Sequence, residues 1–174
     1  MAPAILLTGS PGCGKTTLVR DIVLHYPGRA TGFYTQEIRA RGVRLGFEMI
    51  TLDGKHAVLA HVDLDSRQRV GKYGVDLLAL EDVAVASLQP VLETAGAGLI
   101  VIDEIGPMEI LSEKFCRVVV QALQGRQPVL ATIVQRSTPF TDLVKSRPGV
   151  TLIEVRLDNR SNLPEHILAL LRES

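Results

Sequence analysis

The chain has 174 residues, 46% hydrophobic and 22% charged, with a mean hydropathy of +0.21. This excludes a disordered polypeptide, supports one substantial core and leaves too little chain for a second independent domain, so residues 1–174 are read as a single unit. Nineteen basic residues balance nineteen acidic ones, so no bulk field attracts nucleic acid or an anionic membrane, and any anion site must be local. The two cysteines, Cys13 and Cys116, have neither metal-ligand spacing nor a disulfide framework, which suits a reducing compartment. The start, MAPAILLTGSPG, has no basic leader, and no run reaches the ~20 apolar residues of a membrane span. The expectation is a cytoplasmic protein without a membrane segment, and no protein partner is evident.

The first element is the apolar strand AILLT, residues 4 to 8, followed at once by GSPGCGKTT. Gly9, four residues and then Gly14-Lys15-Thr16 make the G-x-x-x-x-G-K-[ST] pattern, Walker A, of a phosphate-binding loop. Glycines at 9, 12 and 14 allow backbone angles that side chains forbid, and a helix, KTTLVRDIVLHY, opens near Lys15. Loop amides and the positive helix end can then converge on phosphate oxygens. The candidate binding residues are Gly9, Ser10, Pro11, Gly12, Cys13, Gly14, Lys15, Thr16 and Thr17. Lys15 would reach the β and γ phosphates, and the Thr16 hydroxyl would ligate Mg²⁺. Cys13 is expected to pack within the loop, without redox work.

Residues 30–62 break the α/β rhythm. ATGFYTQEIR, RLGFEMITL and AVLAHV, joined by RG and DG turn signals, read as an antiparallel insert between the first helix and the next parallel strand. The charged, glycine-containing stretch DLDSRQRVGKYGV reads as a loop. A helix is expected from Val75 to Thr94, then a buried strand, GLIVI, at 98 to 102. The helix SEKFCRVVVQALQ, the strand PVLATIV, the strand VTLIEV and the helix LPEHILALLRES complete the chain, with Pro164 suited to a first helical turn. The pattern is an open α/β fold, a mostly parallel sheet flanked by helices.

LIVIDEIG, residues 99 to 106, runs from four apolar residues into Asp103 and Glu104. A strand ending in an acid beside a phosphate loop places Asp103 to hold Mg²⁺ through its water shell. Glu104 can polarise a water in line with the γ phosphate, as a general base. Asp103 to Gly106 also fits the D-x-x-G string of GTP switches, but no N-K-x-D follows to read guanine. A kinase of a nucleotide or small metabolite stays open, with DLDSRQRVGKYG as its lid, as does a nucleotide-dependent regulatory switch. Glu104 directly after the metal acid favours hydrolysis, because an activated water would waste ATP in a kinase.

GSPGCGKTTL, GFYTQEIR, RLGFEMITL, VGKYGVDL, VIDEIGPMEI and DNRSNLPEHI together resemble the THEP1-type nucleoside-triphosphatases, a P-loop family, over almost the whole chain. The resemblance implies a RecA-like or kinase-like core. It also implies slow, Mg²⁺-dependent release of the terminal phosphate from ATP, GTP, CTP and UTP, with broad base tolerance. By it, residues 9 to 16 bind the triphosphate, Asp103 supports the metal and Glu104 is the catalytic carboxylate, while the loop motif itself marks Lys15 as catalytic and Thr16 as a metal ligand. Thr132 is a γ-phosphate sensor if its strand lies between the loop strand and the Asp103 strand, or else an ordinary β-branched strand residue. Asn159 and Arg160 follow the last strand, where they either cover the base, Arg160 by stacking, or cap and bridge a loop. Phe33 and Tyr34 could stack on a base too, although aromatic residues in strands usually belong to the core. Arg67, Arg69, Lys72, Arg136 and Arg160 are all possible cationic fingers. In the family pattern the stretch around Gln135 to Ser137 varies, so no role carries over to it.

Overall fold

The computed structural model describes residues 2–93 and 98–172. One nine-stranded sheet spans them, in the order β5-β6-β4-β3-β2-β7-β8-β1-β9. The parallel strands are β1 (Ala4–Thr8), β2 (Arg29–Ala40), β7 (Gly98–Ile105), β8 (Val129–Ile133) and β9 (Val150–Glu154). Alternate residues of these strands feed two cores. Leu6, Ile100, Ile102, Ala131 and Ile133 face one side; Ile5, Leu7, Leu99, Val101 and Leu130 face the other. Both faces of β1, β7 and β8 are covered, which explains why they read as unbroken apolar runs; β9 reads the same way but lies at the sheet edge, where Leu152 is 45% exposed.

The helices follow from their apolar stripes. In α4 (Glu113–Gln124), Phe115, Val118, Val119, Ala122 and Leu123 are buried, the i, i+3, i+4, i+7, i+8 spacing of one helix face. Its N-terminus is capped by the Ser112 hydroxyl, which accepts from the Phe115 N–H at 3.1 Å. α1 (Lys15–His25) and α6 (Leu163–Arg172) cover the opposite face through Leu18, Val19, Ile22, Ile167, Leu168 and Leu171.

Three expectations need correction. The antiparallel segment does not begin at residue 30: β2 pairs parallel with β7 from Arg29 to Phe33, and only its continuation pairs solely with β3 (Val43–Thr51). One strand thus serves both halves of the sheet. The DLDSRQRVGKYGV stretch is not all loop but holds the hairpin β5 (Arg69–Val70) and β6 (Tyr73–Val75), so the antiparallel part runs on to residue 75, past β4 (His56–His61). The helix expected from Val75 starts instead as α2 (Leu77–Ala79), capped by Asp76, and passes through a π-helical Leu80–Val85 into α3 (Ala86–Glu93). Thr94, its expected end, lies outside the described residues, as do Glu173 and Ser174. The short α5 (Pro139–Lys145) was not expected; its signal is Thr138-Pro139, a capping hydroxyl before a proline in the first turn.

Candidate active site

The site lies at the C-terminal ends of β1, β8 and β7, which are neighbours in that order. The phosphate-loop strand and the acidic strand are therefore one strand apart. β8 fills the interval, with Leu7 opposite Thr132 and Ile102 opposite Ala131. That is the arrangement on which the reading of Thr132 depended.

The loop from Gly9 to Gly14 delivers the chain into α1 with no side-chain cap. Its N-cap is Gly14, at φ 99°, a left-handed conformation open to glycine at little cost. α4 and α5, in contrast, are both capped by hydroxyls. An uncapped N-terminus leaves its first N–H groups available to an anion. Lys15 Nζ arches over the loop, donating to the carbonyls of Gly9 at 2.9 Å and Ser10 at 3.2 Å. Ser10, Pro11, Gly12 and Thr17 are exposed around it. Cys13 is buried in the core beneath the loop, its N–H turned to Ser10 O at 3.2 Å and its thiol 3.9 Å from Lys15 Nζ.

Asp103 closes the gap between the two motifs. It is 1% exposed, and its carboxylate accepts from Thr16 Oγ1 at 2.7 Å and Thr132 Oγ1 at 2.5 Å. The Thr35 N–H, just past the end of the β2–β7 pairing, bonds to it as well. Burial raises the Asp103 pKa, while these bonds and the Lys15 charge oppose the rise. Thr132 is thus tied to the carboxylate and orients it. Thr16 and Asp103 offer the hard oxygens that suit Mg²⁺, an ion that takes few protein ligands and keeps several waters. At the end of β1, the Thr8 hydroxyl is buried without a hydrogen-bond partner among the described residues. Such an orphan marks a place for water or ligand.

Glu104 is partly exposed beside Asp103. Burial and the Asp103 charge raise its pKa, and Lys15 lowers it. Behind it stands Glu109, 4% exposed, which sequence reasoning missed. Its pKa is pushed well up, first by burial and then by Glu104, against hydrogen bonds from its own N–H and that of Gly106. A Cβ at Gly106 would run into both glutamates, so this glycine is what lets them approach. A charged residue inside the otherwise apolar MEIL string was the available signal.

The base-site candidates separate. Asn159 spends its amide on its own turn, accepting from the Arg156 N–H at 2.8 Å and donating to Glu154 O at 2.9 Å. It shapes the loop that carries Arg160, whose Nη1 lies 3.1 Å from where a Cβ of Gly14 would sit. Arg160 therefore overhangs the phosphate loop and Asn159 positions it. Phe33 is in the core, edge-on to Phe115 at 6.3 Å between ring centres. Tyr34 lies under the Arg20 guanidinium at 4.8 Å.

The model of a family described simply as NTPase matches residues 4–168. The chain is 46% identical to nucleoside-triphosphatase THEP1 of Thermotoga petrophila over 168 residues, covering 97% of this chain and 92% of that one. The crystal structure of THEP1 from the hyperthermophile Aquifex aeolicus superposes with a TM-score of 0.87 at 37% identity, over 97% of this chain and 99% of that one. The solution structure of a human cancer-related nucleoside triphosphatase gives 0.80 at 34% identity, over 99% of both. With the phosphate loop, its facing acids and this agreement along nearly its whole length, the chain belongs to the THEP1-type nucleoside-triphosphatase family.

Proposed function

We propose that this chain is an Mg²⁺-dependent phosphohydrolase that releases the terminal phosphate of ATP, GTP, CTP and UTP, slowly and with little regard for the base. The observation that carries the reading is the Thr16–Asp103 hydrogen bond at 2.7 Å, which joins phosphate loop and acidic strand with Glu104 as the next residue. Thr16, with Asp103 behind a water shell, would hold the ion. An ion held there would supply positive charge to offset that of the triphosphate. Lys15 leaves the carbonyls of Gly9 and Ser10 for the same phosphates, and the α1 amides surround them. Glu104 orients a water on the γ side and accepts its proton.

Broad base use is supported by the absence of N-K-x-D and by Arg160 at the loop, because a guanidinium plane stacks on any base. Slow turnover fits a loop whose residues 10 to 12 are exposed, since water weakens every charge interaction in an open site.

Phosphate release from the four triphosphates, with Mg²⁺ and with a chelator, tests the proposal. All four should be substrates with rates within about tenfold of one another, a spread of about 1.4 kcal/mol in transition-state free energy. The chelator and Lys15→Ala should each abolish release. Turnover of one base alone, or turnover that needs an added metabolite which becomes phosphorylated, would replace this reading with a base-specific enzyme or a kinase.

A further inference from the structure

Five cations could serve as the finger that neutralises the γ phosphate during transfer, and the fold sorts them. Arg69 donates to the carbonyls of Leu64 and Lys72, at 3.4 and 2.7 Å, and Lys72 lies 5.5 Å over the Tyr73 ring. Both belong to the hairpin at the far edge, and Arg67 leads into it. β5 is six strand intervals from β8, about 29 Å at ~4.8 Å per strand, beyond the reach of a side chain. Arg160 overhangs Gly14, on the loop itself. In the same loop as Arg160, Arg156 is paired with Glu154 and Asp158.

Arg67, Arg136 and Arg160 are all exposed without a side-chain hydrogen bond or ion pair among the described residues, and what sets Arg136 apart is its place. β8 ends at Ile133 between the phosphate-loop strand and the acidic strand, and the Val134 N–H still bonds to Ile105 O at 3.2 Å. Arg136 is two residues further on. Its backbone is fixed: its carbonyl accepts from Thr141 Oγ1 at 3.1 Å, and that of Gln135 accepts from Lys145 Nζ at 3.1 Å. Thr138 and Thr141 lock the start of α5 below it with a reciprocal capping box. The residue is exposed, and its guanidinium has no hydrogen bond or ion pair among the described residues. A pinned backbone under a free cation costs no existing contact when the side chain swings toward a ligand. The loop stands beside the β1 end, where Thr8 has its unpartnered hydroxyl, since Leu7, just before Thr8, is level with Thr132 on the adjacent strand.

We propose that Arg136 is the catalytic cation supplied in cis, binding the γ-phosphate oxygens as charge builds on them. This rests on the phosphohydrolase reading above. The water oxygen bonds to the γ phosphorus and its proton passes to Glu104. The bond from that phosphorus to the β–γ bridging oxygen breaks, leaving its electron pair on the diphosphate. Arg136 enters no bond and stabilises the transferring group by charge and hydrogen bonding.

The test is Arg136→Ala on the full chain, with Arg136→Lys and Arg67→Ala beside it. Removal of a finger costs about 10³ to 10⁵ in kcat, and the lower end is expected for an open site. The affinity for ATP and the melting temperature should be unchanged, and trapping of ADP with Mg²⁺ and aluminium fluoride, which mimics the transferring phosphoryl group, should be lost. Arg136→Lys should recover part of the rate, and Arg67→Ala should match the native chain. A kcat for Arg136→Ala within about tenfold of native, or a loss confined to KM, would overturn the proposal, because only interactions made in the transition state appear in kcat. If the native chain itself releases no phosphate, the phosphohydrolase reading fails first, so the two failures are distinguishable.

Discussion

The parallel strands β1, β8 and β7 and the antiparallel strands β3 to β6 share one sheet, yet they handle charge in opposite ways. On the antiparallel side, groups are neutralised locally. Glu37 accepts from Arg39 and Arg44, Gln36 bonds to Glu48, and Arg69 is held by carbonyls of its own hairpin. At the ends of the parallel strands, Asp103, Glu104 and Glu109 crowd together, with Lys15 the cation felt by both Asp103 and Glu104. Beside them are an uncapped helix and a buried hydroxyl without a partner. The first arrangement is complete in itself. The second leaves groups unsatisfied within the chain, and perturbed, unsatisfied groups gathered at one place make a candidate site.

The contrast breaks most visibly at Glu104. Replacing it with glutamine keeps the shape and removes the proposed base, so phosphate release should fall by about 10² to 10⁴. Nucleotide affinity, measured by titration without turnover, should hold. Normal turnover would remove Glu104 from the mechanism and leave the acid cluster without its proposed purpose.

Thr132→Val is the next step down. It keeps the β-branched shape and deletes the hydrogen bond to Asp103 Oδ1 in a fully buried setting. A buried bond to a charged group contributes about 1.5–3 kcal/mol, and thermal unfolding should register a loss of that order. The Mg²⁺ concentration for half-maximal phosphate release should rise, because Asp103 is held by one bond fewer. A variant with native stability and native Mg²⁺ response would show that Thr132 is only a strand residue.

Glu109 sharpens the comparison through pH. Burial, then the charges of Glu104 and Asp103, raise its folded-state pKa well above the unfolded value near ~4.3. The folded chain therefore binds more protons than the unfolded one between those two values. This contribution to stability is complete below the unfolded pKa and is lost as pH rises through the folded pKa. Glu109→Gln should differ little from native in acid and become the more stable chain as pH rises. A stability gap that stays constant from pH 4.5 to 8 would mean that Glu109 does not carry the strain.

The outline of this site was legible because its parts are local in sequence. Gly9 to Thr16 is a contiguous loop, and Asp103-Glu104 ends a run of four apolar residues, so strand, turn and charge each announce themselves. What stayed hidden depends on contacts across the chain. Thr35 reaches Asp103 only because β2 pairs with β7 before it leaves the parallel sheet. Glu109 reaches Glu104 only because Gly106 lets the chain fold back on itself. The β5–β6 hairpin was missed since two-residue and three-residue strands carry no periodicity to detect. Asn159 stayed open between base contact and loop cap because the spacing of a polar residue does not say where its amide points.

The smallest effect belongs to the complete half of the sheet, at Arg44. Its guanidinium donates to Tyr73 Oη at 2.9 Å and to Glu37 at 3.0 Å, and it lies 5.1 Å over the Phe47 ring. Burial alone would raise the Glu37 pKa, yet hydrogen bonds from Arg39 and Arg44 outweigh it and hold the carboxyl below its ordinary value. The Arg44 and Glu37 side chains are 42% and 38% exposed, so solvent screens the pair and its net contribution is about 0–1 kcal/mol. Arg39 still pairs with Glu37 after Arg44→Ala, so no charge is stranded. Arg44→Ala should therefore lower the melting temperature slightly, less so in high salt, and leave kcat for phosphate release at the native value. A fall in kcat without a fall in stability would show that the antiparallel half communicates with the phosphate site, through the one strand, β2, that belongs to both.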